Sequence, residues 1–262
     1  MTKEKDITLK AGQIAAAIEK FAPLETQAEW DNSGFTVGGP HRRVQKGVIA
    51  LNCTKEVIEE AIELGCDIVI THHPLIVHDP LMNLLDGDPR SDAVALAVKH
   101  GITVYSSHTP LDKALGGLNT IMALKIGIKS PKELVPGGFG AWGKLPKDLS
   151  AKEFIALVKK IFGAKNVRCS KPISGKISTV AVSSGGGQGS VDDAVRVGAQ
   201  VLVTGDVTHH HFYTRDGFMI IDIGHHESEW SATALLESIV KKNFPKFAAQ
   251  ISKADISPIY YF

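Results

Sequence analysis

The sequence predicts an internally duplicated α/β fold, on three observations. Short apolar runs alternate with amphipathic helical stretches, a rhythm that favours mainly parallel sheets with flanking helices. A helix–glycine–strand unit occurs twice. Of the 11 histidines, all but His41, His78 and His100 fall in the clusters His72-His73, His108, His209-His210-His211 and His225-His226, most of them where a strand should end.

The elements follow in order. Residues 13–21 carry apolar side chains at helical spacing and read as an amphipathic helix. In the turn-rich stretch after it, Asp31 and Asn32 either cap the turn or reach a ligand cleft. GVIALNCT, residues 47–54, is a short apolar run suited to a buried strand. Thr54-Lys55-Glu56 supplies helix-start chemistry, and Val57, Ile58, Ala61, Ile62 and Leu64 form the apolar stripe of a helix that Gly65 ends. CDIVIT, residues 66–71, is a second buried strand and delivers the chain to His72-His73-Pro74. The pattern repeats with a helix from about Asp92 to His100 and a strand, ITVYSS, running into His108.

Residues 1–128 thus form a first α/β half. Residues 129–175 change character, with many glycines and prolines around one helix over residues 150–162, and read as a connecting subdomain. Residues 176–262 form the second half, opening with the strand ISTVAVSS, the run Gly185-Gly186-Gly187 and a helix starting near Ser190. The glycine run lies between a strand and a helix, which suits either phosphate binding or a tight turn against the site. It lacks the P-loop lysine and GxGxxG spacing.

Composition excludes several classes. At 44% hydrophobic and 22% charged with a net charge of +1, the chain is ordinary for a globular protein. That balance disfavours nucleic acid or an anionic membrane as the main partner. No apolar run approaches the ~18 residues that span a bilayer. The polar start MTKEKDITLK lacks the apolar stretch of a secretory signal. Cys53, Cys66 and Cys169 are an odd count without CxxC spacing, as expected of reduced residues in a cytoplasmic protein rather than a disulfide framework or thiolate zinc site.

The repeat places the chemistry. EEAIELGCDIVITHH (residues 59–73) aligns without a gap on DDAVRVGAQVLVTGD (residues 192–206). GITVYSSHTPLD (residues 101–112) aligns on GFMIIDIGHHESE (residues 217–229) with one insertion near Gly224. The second match pairs His108-x-x-x-Asp112 with His225-x-x-x-Glu229; the first pairs His72-His73 with Gly205-Asp206. Halves that fold alike and face each other across a pseudo-two-fold would gather these strand ends at one cleft, where parallel sheets bind ligands.

Imidazole with carboxylate is a ligand set for Zn, Fe, Mn, Ni or Co, and the absence of thiolate argues against a structural zinc site. The expected ligands are His72, His73, Asp112, His225 and Glu229, with Asp112 and Glu229 as bridging carboxylates. They would hold two divalent ions roughly 3.5–4 Å apart. His108 is either a ligand or a partner orienting Asp112 or a bound water. Of the three consecutive histidines, His210 is the functional candidate against a plain surface loop. Surface or hydrogen-bonded roles are the ordinary reading of His41, His78 and His100. There is no GxSxG, HExxH or Cys-His pairing of a thiol nucleophile.

WDNSGFTVG (30–38), THHPLI (71–76), SHTPLDKALGGLN (107–119), TGDVTHH (204–210) and GHHESE (224–229), in that order, resemble the GTP cyclohydrolase 1 type 2 homologue family, dinuclear-metal proteins like the NGG-interacting factor. The resemblance covers essentially the whole chain. It implies a duplicated α/β fold, a toroidal homohexamer with metal sites facing its cavity, and ligands at the same five positions. Pro74 departs from the glycine many members carry there, and residues 129–175 are too short to hold the domain that longer members insert.

Two functions are consistent with this sequence. The first is a metal-dependent hydrolase acting on a small molecule such as a nucleotide or phosphoester, with His108 or His210 as proton shuttle. The GTP assignment rests on resemblance alone. The second is a regulatory or interaction protein that holds metal or metabolite without turnover.

Overall fold

A computed structural model of the chain describes residues 8–77 and 79–261; the first seven residues of the polar N-terminus, His78 and Phe262 lie outside them. The chain divides into two compact units, residues 1–111 with 232–258 and residues 112–231 with 259–262. It passes between them next to Asp112 and again shortly after Glu229.

In chain order, the first unit opens with β1 (Leu9–Lys10), α1 (Ala11–Glu19), β2 (Gly34–Val37), β3 (Arg43–Val44) and β4 (Lys46–Ala50). It continues through α2 (Lys55–Glu63), β5 (Ile68–Thr71), α3 (Pro89–His100), β6 (Thr103–Ser106) and the short α4 (Thr109–Lys113), within which it ends. The second unit holds α5 (Leu118–Ile126), β7 (Lys132–Glu133), β8 (Ala141–Ser150), α6 (Ala151–Phe162), β9 (Arg168–Cys169) and β10 (Lys176–Val182). Then come α7 (Val191–Arg196), β11 (Val201–Thr204), β12 (Met219–Asp222) and the short α8 (His225–Glu229). Finally, α9 (Ser231–Asn243) leads back to the first unit, which β13 (Ala248–Ile251) completes.

The first unit's main sheet has the order β13-β4-β5-β6-β2. β13, β4, β5 and β6 are parallel, and β2 lies antiparallel along β6. Every residue of β5 and β6 is buried, and β5 accordingly reads as a continuous apolar run rather than an alternating one. Thr54 caps α2 by accepting from the Val57 amide at 3.3 Å, and Gly65 follows it with a φ of +64° that most residues resist. α3 begins three residues before the expected Asp92, because Asp88 caps it and Pro89 fits the first turn. Val57, Ile58 and Ala61 of α2 and Ala93 and Ala97 of α3 pack with Val48, Val69 and Val104 of the strands.

The second unit's sheet has the order β7-β8-β10-β11-β12-β9. Its centre, β10-β11-β12, is parallel, whereas β7, β8 and β9 join antiparallel, so this sheet is mixed rather than mainly parallel. Side chains alternate between its faces, as a pleated strand dictates. Val180, Val182, Val201, Val203, Met219 and Ile221 meet α5 and α6, while Ala181, Leu202 and Ile220 meet Ala194 of α7. The stretch 129–175 supplies β7, β8, α6 and β9 to this unit. Pro146 in β8 falls where the pairing with β10 shifts register, so its missing N–H interrupts no regular ladder.

The two parallel centres present their strand ends in register. Thr71 of β5 pairs with Ser106 of β6, and Thr204 of β11 pairs with Asp222 of β12. The candidate residues leave from these ends.

Candidate metal centre

In the first unit, His72 and His73 follow β5 directly, and His108 sits just beyond β6 at the head of α4. Backbone hydrogen bonds continue past the strands, from the His73 amide to the Leu51 carbonyl at 2.8 Å and from the Ser107 amide to the Thr71 carbonyl at 2.9 Å. They fix where the three imidazoles start. A ligand-type atom of each ring lies within 4.8 Å of those of the other two.

Each ring has its Nδ1 tied. His72, fully buried, bonds through Nδ1 to the Ser107 carbonyl at 3.0 Å. A carbonyl only accepts, so the His72 proton is on Nδ1 and its lone pair on Nε2. His73 Nδ1 lies 2.8 Å from Asn52 Oδ1, and His108 Nδ1 lies 2.8 Å from Asp31 Oδ1. A metal-binding imidazole is ordinarily oriented in this way, by a carbonyl or carboxylate on its other nitrogen.

The Asp31 side chain is itself buried and accepts from the Ser33 hydroxyl at 2.9 Å and the Thr109 amide at 3.1 Å. Burial pushes its pKa up, but hydrogen bonds from His108, Thr109 and Ser33, with the charge of His108, hold it well below the ordinary carboxylate range. Asp31 is therefore an ionised anchor for His108, while Asn32 bonds the Ile76 carbonyl at 2.9 Å. Trp30 packs edge-on against His108, 5.5 Å between ring centres.

In the second unit, Asp112 on α4 is buried and accepts from the Ser184 hydroxyl at 2.8 Å. His225 and Glu229 are the first and last residues of α8, so their i,i+4 spacing puts them on one helical face. His225 Nε2 and Glu229 Oε2 are 2.9 Å apart, and Asp206 Oδ2 accepts from His225 Nδ1 at 2.7 Å. Burial depresses the His225 pKa, but hydrogen bonds to Asp206 and Glu229 and their charges push it up to about 10. Binding a cation at Nε2 would displace that proton and use the Glu229 oxygen now facing it.

The glycine run packs against this pair. A Cβ on Gly185, whose φ is +59°, would stand 2.4 Å from Glu229 Oε1. Gly205 faces the His225 backbone, where a Cβ would come within 2.8 Å. These glycines admit α8 close to the strand ends, and the Gly185 amide donates to Ser228 Oγ at 2.9 Å.

The other histidines are placed differently. His209, His210 and His211 lie exposed on one turn, with His211 Nδ1 2.9 Å from Thr208 Oγ1. None of them joins a group of ligand-type atoms among the described residues. His41 and His100 are exposed, and His226 stacks on Trp230. All three cysteines are free, and burial pushes the Cys53 thiol up to about 12 and Cys169 up to about 11, so neither offers a ready thiolate. Sequence reasoning did not single out Asn52, Asp206 or Asp255; the repeat that pairs His72-His73 with Gly205-Asp206 held the signal for Asp206.

Imidazole and carboxylate side chains gathered at the ends of parallel strands define a class, an α/β protein with His/Asp/Glu clusters that could bind metal. The chain belongs to the Duf34/NIF3 (NGG1p interacting factor 3) family, whose model matches residues 9–258. It is similar to the GTP cyclohydrolase 1 type 2 homolog of Clostridium perfringens, 35% identical over 243 residues that cover 89% of this chain and 92% of that one. Among solved structures, Reduced HcgD from Methanocaldococcus jannaschii is 30% identical with a TM-score of 0.82, covering 95% of this chain and 100% of that one. A Bacillus cereus protein related to NIF3 shares the fold at a TM-score of 0.88 and 21% identity, covering 97% of this chain and 99% of that one. Among the described residues, no helix is long and apolar enough to cross a membrane.

Proposed function

We propose that the chain is a dinuclear metal-dependent hydrolase whose five ligands are His72, His73, Asp112, His225 and Glu229. The observation that carries this reading is the set of three imidazoles, each tied at Nδ1, with ligand-type atoms within 4.8 Å of one another. Three side chains held in that way have little left to reorganise: His72 and His73 would offer Nε2 to a cation, and His108 would present its Nε2 beside it as a base. Imidazole together with carboxylate suits Zn, Fe, Mn, Ni or Co. The twofold occurrence of the helix–glycine–strand unit supports an origin by internal duplication, with the His-x-x-x-Asp and His-x-x-x-Glu turns as its two copies.

Divalent ions at these residues would supply Lewis acidity and bring the pKa of a coordinated water towards neutrality. The protein's own part is positional. Asp31 holds the His108 ring so that His108 Nε2 can take a proton from water and return it to the leaving group. Asp206 holds His225, Ser184 holds Asp112, and Gly185 leaves room for the Glu229 carboxylate. His210, exposed on its turn, is the alternative shuttle.

The substrate class is a nucleotide or other phosphoester. Relatives named as GTP cyclohydrolase 1 type 2 homologs favour a purine nucleotide, while a two-metal site suits phosphoester hydrolysis equally well. The resemblance to that family supports self-assembly as a hexamer, and three free cysteines suit a cytoplasmic chain.

The test is metal analysis of the purified protein together with a hydrolase screen over nucleotides and phosphoesters. Two ions per chain, with turnover lost by at least about 10²-fold in Glu229→Ala while fold and assembly persist, is the expected result. Less than one ion per chain after metal loading would sink the reading. Metal without turnover on any substrate would leave a non-enzymatic metal-binding protein.

A further inference from the structure

Asn52 and Asp255 form a hydrogen-bonded chain that ends on His73, and its bearing on ligation rests on the metal-centre reading above. Asn52 lies just beyond β4 and Asp255 just beyond β13, two neighbouring parallel strands of one sheet. The Asp255 carboxylate is buried. One oxygen, Oδ2, accepts the backbone N–H of Leu51 and, at 3.2 Å, that of Asn52. The other, Oδ1, accepts from Asn52 Nδ2 at 3.0 Å. The Asn52 Oδ1 then faces His73 Nδ1 at 2.8 Å.

We infer that Asp255 is a positioning residue that locks the tautomer of His73 through Asn52. A carboxylate is an acceptor only, so Asn52 must turn its NH₂ towards Asp255 and its carbonyl oxygen towards His73. Facing an acceptor, His73 must carry its proton on Nδ1, which puts the lone pair on Nε2. Two hydrogen bonds thus carry the choice of ring nitrogen from the C-terminal segment to the strand end. Neither residue would touch the cation or the substrate.

Asp255→Asn reverses this logic without changing size. Its remaining oxygen keeps the two backbone donors, and its new NH₂ confronts the NH₂ of Asn52. Asn52 then flips, presents NH₂ to His73 Nδ1, and drives the His73 proton onto Nε2, where it blocks ligation.

The experiment is ¹⁵N NMR of the histidine ring nitrogens in the metal-free full chain, followed by titration with Zn²⁺ or Mn²⁺ against a competing chelator. The expected results are an Nδ1–H tautomer of His73 in the native protein, an Nε2–H tautomer in Asp255→Asn, and affinity weakened by about 10–100-fold in the variant. An unchanged His73 tautomer in Asp255→Asn overturns the relay, whatever the metal does. A shifted tautomer in a chain that binds no metal even in its native form keeps the relay and removes the metal reading. Asp255 also holds the backbone turn, so if Asp255→Asn does not fold, Asn52→Ala takes its place. Loss of the Nδ1–H preference there supports the relay, and its retention overturns it.

Discussion

Asp206 has a φ of 51°, the one positive value outside glycine among the described residues. Such a conformation costs a non-glycine residue free energy, of order 1–3 kcal/mol where it is strained, and clusters at functional sites. Here it turns the Asp206 carboxylate onto His225 Nδ1 at 2.7 Å. The carboxyl is held below its ordinary range, first by that hydrogen bond, against the opposing effect of burial. Asparagine tolerates the left-handed region well, so Asp206→Asn should keep the backbone and lose the anionic acceptor. Metal affinity, read by competition with a chromophoric chelator, should fall by about 10–100-fold while the far-UV spectrum stays native. Unchanged affinity would mean that Asp206 serves the turn and not the ring.

At the scale of elements, local signals were the legible ones. The helix read over residues 150–162 is α6, and the structure shows a full capping box at its start, with the Ser150 amide donating to Glu153 Oε2 at 2.8 Å. Ser150→Ala should cost about 1 kcal/mol by urea unfolding, with no change in metal content. A loss beyond ~2 kcal/mol would mean the cap also anchors β8. The His-x-x-x-Asp and His-x-x-x-Glu spacings read correctly as strand-end motifs, but not as the helical turns α4 and α8. Five residues are too few to show a period. β8 was hidden by Gly143 and Pro146, which argue against a strand until the register shift opposite them is known. Asn52 and Asp255 were illegible for another reason. Their partnership spans 203 residues and carries no pattern, so only the pairing of β13 with β4 brings it out.

For the whole molecule, the division of the chain matters more than either sheet. One passage between units splits α4 between Leu111 and Asp112, and the next comes two residues after Glu229. Each unit carries candidate ligands of its own, His72 and His73 in one and Asp112, His225 and Glu229 in the other. An ion that binds only the folded chain stabilises it by mass action, by about 2.7 kcal/mol when its free concentration is 100 times Kd. An ion held by the residues of one unit stabilises that unit. Scanning calorimetry should then show the transition of each ion-binding unit move upward on adding the divalent ion and fall back after chelation. Glu229→Ala should abolish most of that response, since it removes a ligand and leaves both apolar cores intact. An ion that raised the stability of the first unit alone would make His72, His73 and His108 the set to test first.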